Sequence, residues 1–288
     1  MKKQIKYIFI LLGITAQMSC ETDANIPIPK QEPKYVLTAF INPASDSQMF
    51  TLTMSDPIFD GSNIDPNSYL DDAEVKISDG NNTVTLDYNN SFNSYMLLNS
   101  SMNLDYNSNY SVSISRNGKN LETDFKTIGS APIVINEIKI DSITKSDEFG
   151  FLTKTYFANV KWQDPASENN YYCLELFGII TDFNGRTIRV PLSDYYGNVY
   201  ISDEGKNGTE MTRTLEAYTG FFGEFGQQYK GFDVVISKTD EHYYRYFKSL
   251  QNYVGDDPFS EPSLVYTNIN SGLGVIGNYI PYSIRKEL

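Results

Sequence analysis

Histidine is almost missing from this chain: of 288 residues only His242 carries an imidazole. A metal centre built on several imidazoles is thereby excluded, and any hydrolase triad would have to pass through that one residue. Cysteine is nearly as scarce, with Cys20 and Cys173, and tryptophan occurs once, at Trp162. Positive charge is short as well, since 23 Lys and Arg stand against 36 Asp and Glu, for a formal charge of −13. So acidic a body repels polyanions, which argues against nucleic acid as a partner. The apolar run Tyr7–Ile14 falls far short of the roughly 20 residues that a membrane-spanning helix needs. No Gly-x-Ser-x-Gly elbow occurs, and no Gly-Lys-Ser/Thr follows the glycines at Gly272, Gly274 and Gly277. Those absences remove the common signatures of acyl transfer and of phosphate cradling, and no cofactor is expected.

What is present begins with a charged start. Lys2, Lys3 and Lys6 precede the apolar run, and Thr15-Ala16-Gln17-Met18-Ser19-Cys20 follows it. That order is the layout of a secretory signal. A cysteine at the end of such a segment resembles the lipobox of bacterial lipoproteins, which implies that Cys20 is acylated and becomes the mature N-terminus. Residues 1–19 are then the signal peptide, and 20–33, with Pro27, Pro29 and Pro33, an extended lipidated tether. Acyl chains at about 0.8 kcal/mol per buried CH₂ would hold the protein on a membrane. Removing three lysines and no acid takes the formal charge from −13 to −16. Cys173 is left without a disulfide partner, and the alternating Tyr171–Phe177 around it reads as a strand with a buried structural thiol.

From Tyr35 the chain is a series of short runs of β-formers at period two. They cover Tyr35–Ile41, Phe50–Met54, Ala73–Ser78, Val84–Tyr88, Tyr95–Leu98 and Tyr110–Ile114. Asn117-Gly118 is the strongest hairpin signal, because both middle positions of a type I′ turn need positive φ. The strand pattern lapses over Thr127–Pro132 and resumes at Ile133–Ile140, Tyr156–Trp162, Thr187–Val190 and Phe232–Ser237, with a polar loop expected between Ile140 and Tyr156. Many short strands of this kind make sandwiches. The expected fold is mostly β: two immunoglobulin- or fibronectin-like β-sandwich domains, at 34–130 and 131–288, with one helix near the C-terminus.

That helix is expected over 240–254. Tyr243, Phe247, Leu250 and Val254 recur at helical steps, Thr239 stands ready to cap, and Gly255 to stop it. Its apolar stripe is expected to lie on the second sandwich. Trp162 reads as core packing, His242 as an exposed helix-face residue, and the glycines of 272–277 as places of close backbone approach or positive φ.

Candidate contact residues lie in aromatic loops. Tyr195, Tyr196 and Tyr200 in one, and Phe221, Phe222 and Phe225 in another, combine rings with glycine and polar groups in a composition suited to sugars or protein partners. Asp71-Asp72, Asp203-Glu204 and Asp256-Asp257 are the acidic pairs on which a two-carboxylate glycosidase would draw. None has the spacing of a calcium loop, and no metal site is expected.

The lipoprotein start, the Ile140-Asp141-Ser142-Ile143 opening of the second half, and Trp162-Gln163-Asp164-Pro165 with Asn170-Tyr171-Tyr172 combine with a distinctive C-terminal block. That block holds a Tyr-rich helix, Asp257-Pro258-Phe259-Ser260-Glu261-Pro262, Asn268-Ile269 and Gly272-Leu273-Gly274-Val275-Ile276-Gly277. Together they resemble a family of Bacteroides-group lipoproteins known only as domain of unknown function family 4249. The resemblance implies an accessory role in surface nutrient capture beside a TonB-dependent receptor; with the anchor and the missing catalytic groups, the expectation is an outer-membrane, surface-exposed, lipid-anchored, non-catalytic binding or accessory component for a glycan or other nutrient. Separately, Asp141-Ser142-Ile143 resembles the short acceptor pattern for O-glycosylation in the Bacteroides group, with an ordinary strand edge as the default reading of Ser142. A fimbrillin-like structural subunit and a glycan-active hydrolase are the alternative readings.

Overall fold

Period-two burial organises the molecule from its first strand. In β1 (Tyr35–Ile41) the side chains of Tyr35, Leu37, Ala39 and Ile41 are buried, while Val36, Thr38 and Phe40 turn to the opposite face. The computed structural model describes residues 32–55, 69–146, 152–166, 168–182, 184–192, 198–218, 229–253 and 264–288. The chain there is mostly strand, with one helix among the described residues.

After β1 come β2 (Ser47–Met54), β3 (Glu74–Ser78), β4 (Thr83–Thr85), β5 (Asp87–Asn89), β6 (Ser94–Leu98), β7 (Asn109–Arg116) and β8 (Lys119–Lys126). The second half holds β9 (Val134–Ser146), β10 (Leu152–Gln163), β11 (Tyr171–Thr181), β12 (Thr187–Pro191), β13 (Val199–Ser202), β14 (Glu210–Tyr218) and β15 (Tyr229–Thr239). Helix α1 (Glu241–Gln251) and β16 (Leu273–Glu287) complete it. A nine-stranded sheet runs β12-β11-β15-β16-β1-β2-β6-β5, with β13 also paired to β11. Two smaller sheets, β4-β3-β7-β8 and β14-β10-β9, cover parts of it.

Two apolar cores follow. One is filled by inward residues of β1, β2, β3, β6, β7 and β8, including Phe50, Ile77, Tyr95, Leu97 and Ile114. The other is filled from β10, β11, β14 and β15, including Trp162, Tyr172, Leu174, Phe232 and Ile236. Each is thus a layer of sheet on sheet. Ile269 and Ile276, from the C-terminal stretch, belong to the first core and not the second. The reason is β16, whose residues Leu273–Asn278 pair in parallel with β1 while Tyr279–Glu287 pair antiparallel with β15. Residues of both halves accordingly group into one compact unit, Pro33–Asp56 with Ile64–Leu288. Pro281 sits where β16 has a partner on one side only, so its missing N–H breaks no second ladder.

Local signals in the sequence translate directly. Asn117 (φ 51°) and Gly118 (φ 75°) join β7 to β8 with Arg116 opposite Lys119, as a two-residue turn demands. The run Val84–Tyr88 is not one strand, because Leu86 turns inward and donates its N–H to Val75 O, so β4 stays on the small sheet and β5 crosses to the large one. The polar stretch expected as a loop after Ile140 is instead two arms of a long hairpin, paired as far as Ser146 opposite Leu152. Backbone ladder bonds hold those arms, since beyond Ile138 β9 has no buried side chain.

An ion cluster ties β12, β15 and β16 together. Asp233 accepts two hydrogen bonds from Arg285 (2.7 and 2.9 Å) and one from Arg189 (3.1 Å), whose guanidinium also lies over the Phe177 ring. Chiefly the Arg285 hydrogen bond holds the Asp233 carboxyl below the usual carboxylate range. A depressed folded pKa means stability that is present above about pH 4 and lost as pH falls through the folded value. Asp233→Asn is expected to cost about 1 kcal/mol at pH 7, modest because both arginine side chains are about half exposed. That difference should vanish on acidification, as read from urea midpoints at pH 7 and pH 3.

Candidate functional site

Helix α1 starts where it does because Asp240, and not Thr239, caps it. Its Oδ1 accepts from Tyr243 N (2.8 Å) and its Oδ2 from Asn278 Nδ2 (2.6 Å). Asn278 Nδ2 also donates to Lys126 O (3.0 Å), so one buried amide joins the helix start, β16 and the end of β8. Burial is the leading cause that pushes the Asp240 carboxyl upward, against those hydrogen bonds.

The helix lies on the outer face of the large sheet at the junction of its two halves, against β16, β13 and β11. Its apolar stripe, expected on the second sandwich, meets those strands and reaches the first half as well. Phe40, from β1, packs on Tyr243 (5.2 Å), Tyr246 (6.0 Å) and Phe247 (5.1 Å). Gly277 makes this fit possible, since a Cβ there would stand 2.9 Å from Tyr243 Cα. Gly274 (φ +100°) lets β16 close on β1, where a Cβ would collide with Leu37 O. Asn268 completes the block by exchanging both its amide groups with the Ile276 backbone, at 2.9 and 3.0 Å.

Two of the concavities beside the helix bear on a site. One, of about 410 Å³, is walled by the rings of Tyr171 and Tyr244 and by Asn169, Asp203, Glu241 and Arg245. Tyr171 and Tyr244 stand 5.0 Å apart, tilted by 35°. Foremost burial, then the carboxylates of Glu241 and Asp203, push the Tyr171 hydroxyl up. The other, of about 550 Å³, is lined by Asp79, Asn109, Tyr110, Asp124, Lys126 and His242. His242 is exposed as expected; its Nδ1 lies 2.7 Å from Tyr266 OH, and the two rings stack.

Of the residues expected to make contacts, Tyr200 alone falls among those described. It is buried, its ring flat against Phe247 at 5.0 Å and 9°, and it also lines a further cavity of about 370 Å³ with Lys248 and Gln251. Its ring thus serves helix packing. Cys20, Tyr195, Tyr196, Phe221, Phe222, Phe225 and the pair Asp256-Asp257 lie outside the described residues. Asp72 is taken up by Arg116. Ser142 is exposed on β9, at the open edge of its sheet.

Cys173 is sealed beneath the helix, and burial pushes its thiol up to about 12. The motif at Trp162–Pro165 proves to be scaffolding. Asp164 accepts from Tyr172 OH (2.6 Å) and Gly208 N (2.7 Å), and Asn170 donates to Pro165 O and Glu168 O. No group of three or more His, Cys, Asp or Glu side chains suited to a metal ion occurs among the described residues, and no described helix is long and apolar enough to cross a membrane. The cavity at Asp203 was the feature that sequence missed, because its walls come from three separate stretches of chain.

A mostly β chain of this build, closed by one tyrosine-rich helix, can be compared with known proteins. The family described as "Domain of unknown function (DUF4249)" matches residues 21–285, and the chain belongs to it. No curated protein matches. Among solved structures it is similar to the chicken CNTN1 FN1-FN3 domains, at 11% identity and a TM-score of 0.27, covering 88% of this chain and 66% of that one.

Proposed function

We propose that this protein is a lipid-anchored, surface-exposed component of the outer membrane that binds a ligand or partner for a TonB-dependent nutrient transporter and performs no catalysis itself. The observation that carries the binding role is the ring-walled cavity of about 410 Å³ beside the helix, a size suited to a small organic ligand. The chemistry around it supports binding over turnover. The Cys173 thiol is sealed, and His242 is engaged by Tyr266. The anchor reading is supported by the basic start, the apolar run and Cys20.

A fimbrillin-like subunit would need a removable first strand. Here β1 is held on both edges, by β2 and by β16, which weighs against that alternative. Gentle detergent extraction of native membranes tests the accessory role: a TonB-dependent receptor should co-purify, and Cys20→Ser should release the protein from the membrane fraction. Recovery of the protein alone, together with Cys20 shown by mass spectrometry to carry no lipid, would overturn it.

A further inference from the structure

Asp203 is an anomaly. Only 3% of the residue is accessible, and its buried Oδ2 has no hydrogen-bond partner. Buried acids are normally paired or well bonded, because an unpaired one is costly. Asp203 lines the cavity, and its backbone N–H is held by Asn170 O at 3.0 Å. A buried carboxylate oxygen with no donor, on a residue that lines the cavity, calls for a donor from outside.

Nearby cations do not supply it. Arg245 shares the cavity, but its guanidinium pairs with Glu241 (3.3 Å) and lies over the Tyr266 ring at 4.5 Å. Lys238 pairs with Glu168 at 3.1 Å. Lys206, three residues along the turn, is exposed, and none of the ion pairs among the described residues includes Asp203. Glu204 adds another negative charge to the same wall, so Asp203, Glu204 and Glu241 outnumber Arg245.

We infer that the cavity between the β13–β14 turn and the first turn of α1 binds an organic cation, an alkylammonium group held by Asp203 and Glu204 and faced by the rings of Tyr171 and Tyr244. The inference rests on the reading of the chain as a binding module and names its ligand class. An ammonium supplies the donor that Asp203 lacks together with positive charge, and Tyr rings attract it through their faces. A sugar would bring donors but leave the charge uncompensated. A hard metal ion wants six or more converging oxygens, whereas this cavity has the volume of a small molecule and no three metal-binding side chains meet among the described residues.

Calorimetric titration of the full chain in detergent with 1,5-diaminopentane tests this, with 1,5-pentanediol and CaCl₂ as parallel titrants. Saturable binding of the diamine is expected, with neither the diol nor calcium binding. Asp203→Asn should weaken the diamine about 10- to 100-fold, the loss expected for one charge-assisted contact. Tyr244→Leu should weaken it about 3- to 10-fold by removing a ring. Should Asp203→Asn fail to fold, the exposed Glu204→Gln decides the charge dependence, with a loss of about 3-fold or more expected.

Equal binding of the diol, saturable calcium binding in place of the diamine, no binding at all, or folded variants that bind like the wild type would each overturn the inference. The receptor test is separate: diamine binding without a co-purifying receptor would leave the site standing and remove only the accessory role.

Discussion

Replacing Gly277 by valine is expected to lift helix α1 from the sheet and to cost about 2–4 kcal/mol, because an added Cβ would stand 2.9–3.0 Å from the Tyr243 backbone. Gly274→Val should cost more, about 3–5 kcal/mol, since strain at φ +100° adds to the collision with Leu37 O. Urea denaturation measures both losses. A second readout separates a lifted helix from general loosening: the Cys173 thiol is sealed beneath α1 and adjoins Tyr243. In a Cys20→Ser background, Gly277→Val should make Cys173 react with a thiol reagent at denaturant concentrations far below the unfolding midpoint. An unreactive Cys173 in a fully stable variant would show that the helix does not depend on this glycine.

Trp162→Ala is expected to remove about 3–5 kcal/mol, the cost of emptying a large site in a packed core. Trp162 is fully buried in the second core and meets the Tyr172 ring edge-on at 5.3 Å. Because β16 pairs with strands of both halves, the loss should shift one shared unfolding transition. Near-ultraviolet dichroism and fluorescence from tyrosines of both cores would check this. A first core that still melts at the wild-type midpoint would show that the cores unfold independently.

Legibility from sequence followed the strength of local pattern. β1, β7 and β8 announce themselves by strict alternation and by Asn117-Gly118, whose positive φ angles match expectation. β14 went unread because its pattern is broken: Met211, Leu215 and Ala217 point inward, but Arg213, of the same parity, is exposed. β13 is four residues long, too short to show a period against its aromatic neighbours. The helix was legible from its spacing, while the identity of its cap depended on Asn278, thirty-eight residues away. Likewise the face it covers depends on Phe40, which no local window relates to Tyr243.

The candidate site was less legible than the fold. An acidic pair at Asp203-Glu204 is visible in sequence, but what distinguishes Asp203 from Asp72 is long-range. Asp72 meets Arg116 from the end of β7, while Asp203 is buried with an orphaned oxygen. Ring clusters mislead in the opposite direction. Tyr200 sits in a run composed like a contact loop, yet the sheet edge formed with β11 turns its ring under the helix.

The double role of β16 also bears on how the polypeptide acquires its form. Until residues 273–278 have left the ribosome, β1 has one bare edge and Ile276 is missing from the first core. The N-terminal half therefore has to wait, incomplete, for a segment made more than two hundred residues later, and sequence separation of that order slows closure. During that wait the open edge of β1 is a surface on which other chains can add, so folding in a crowded solution would favour a chaperone that shields it.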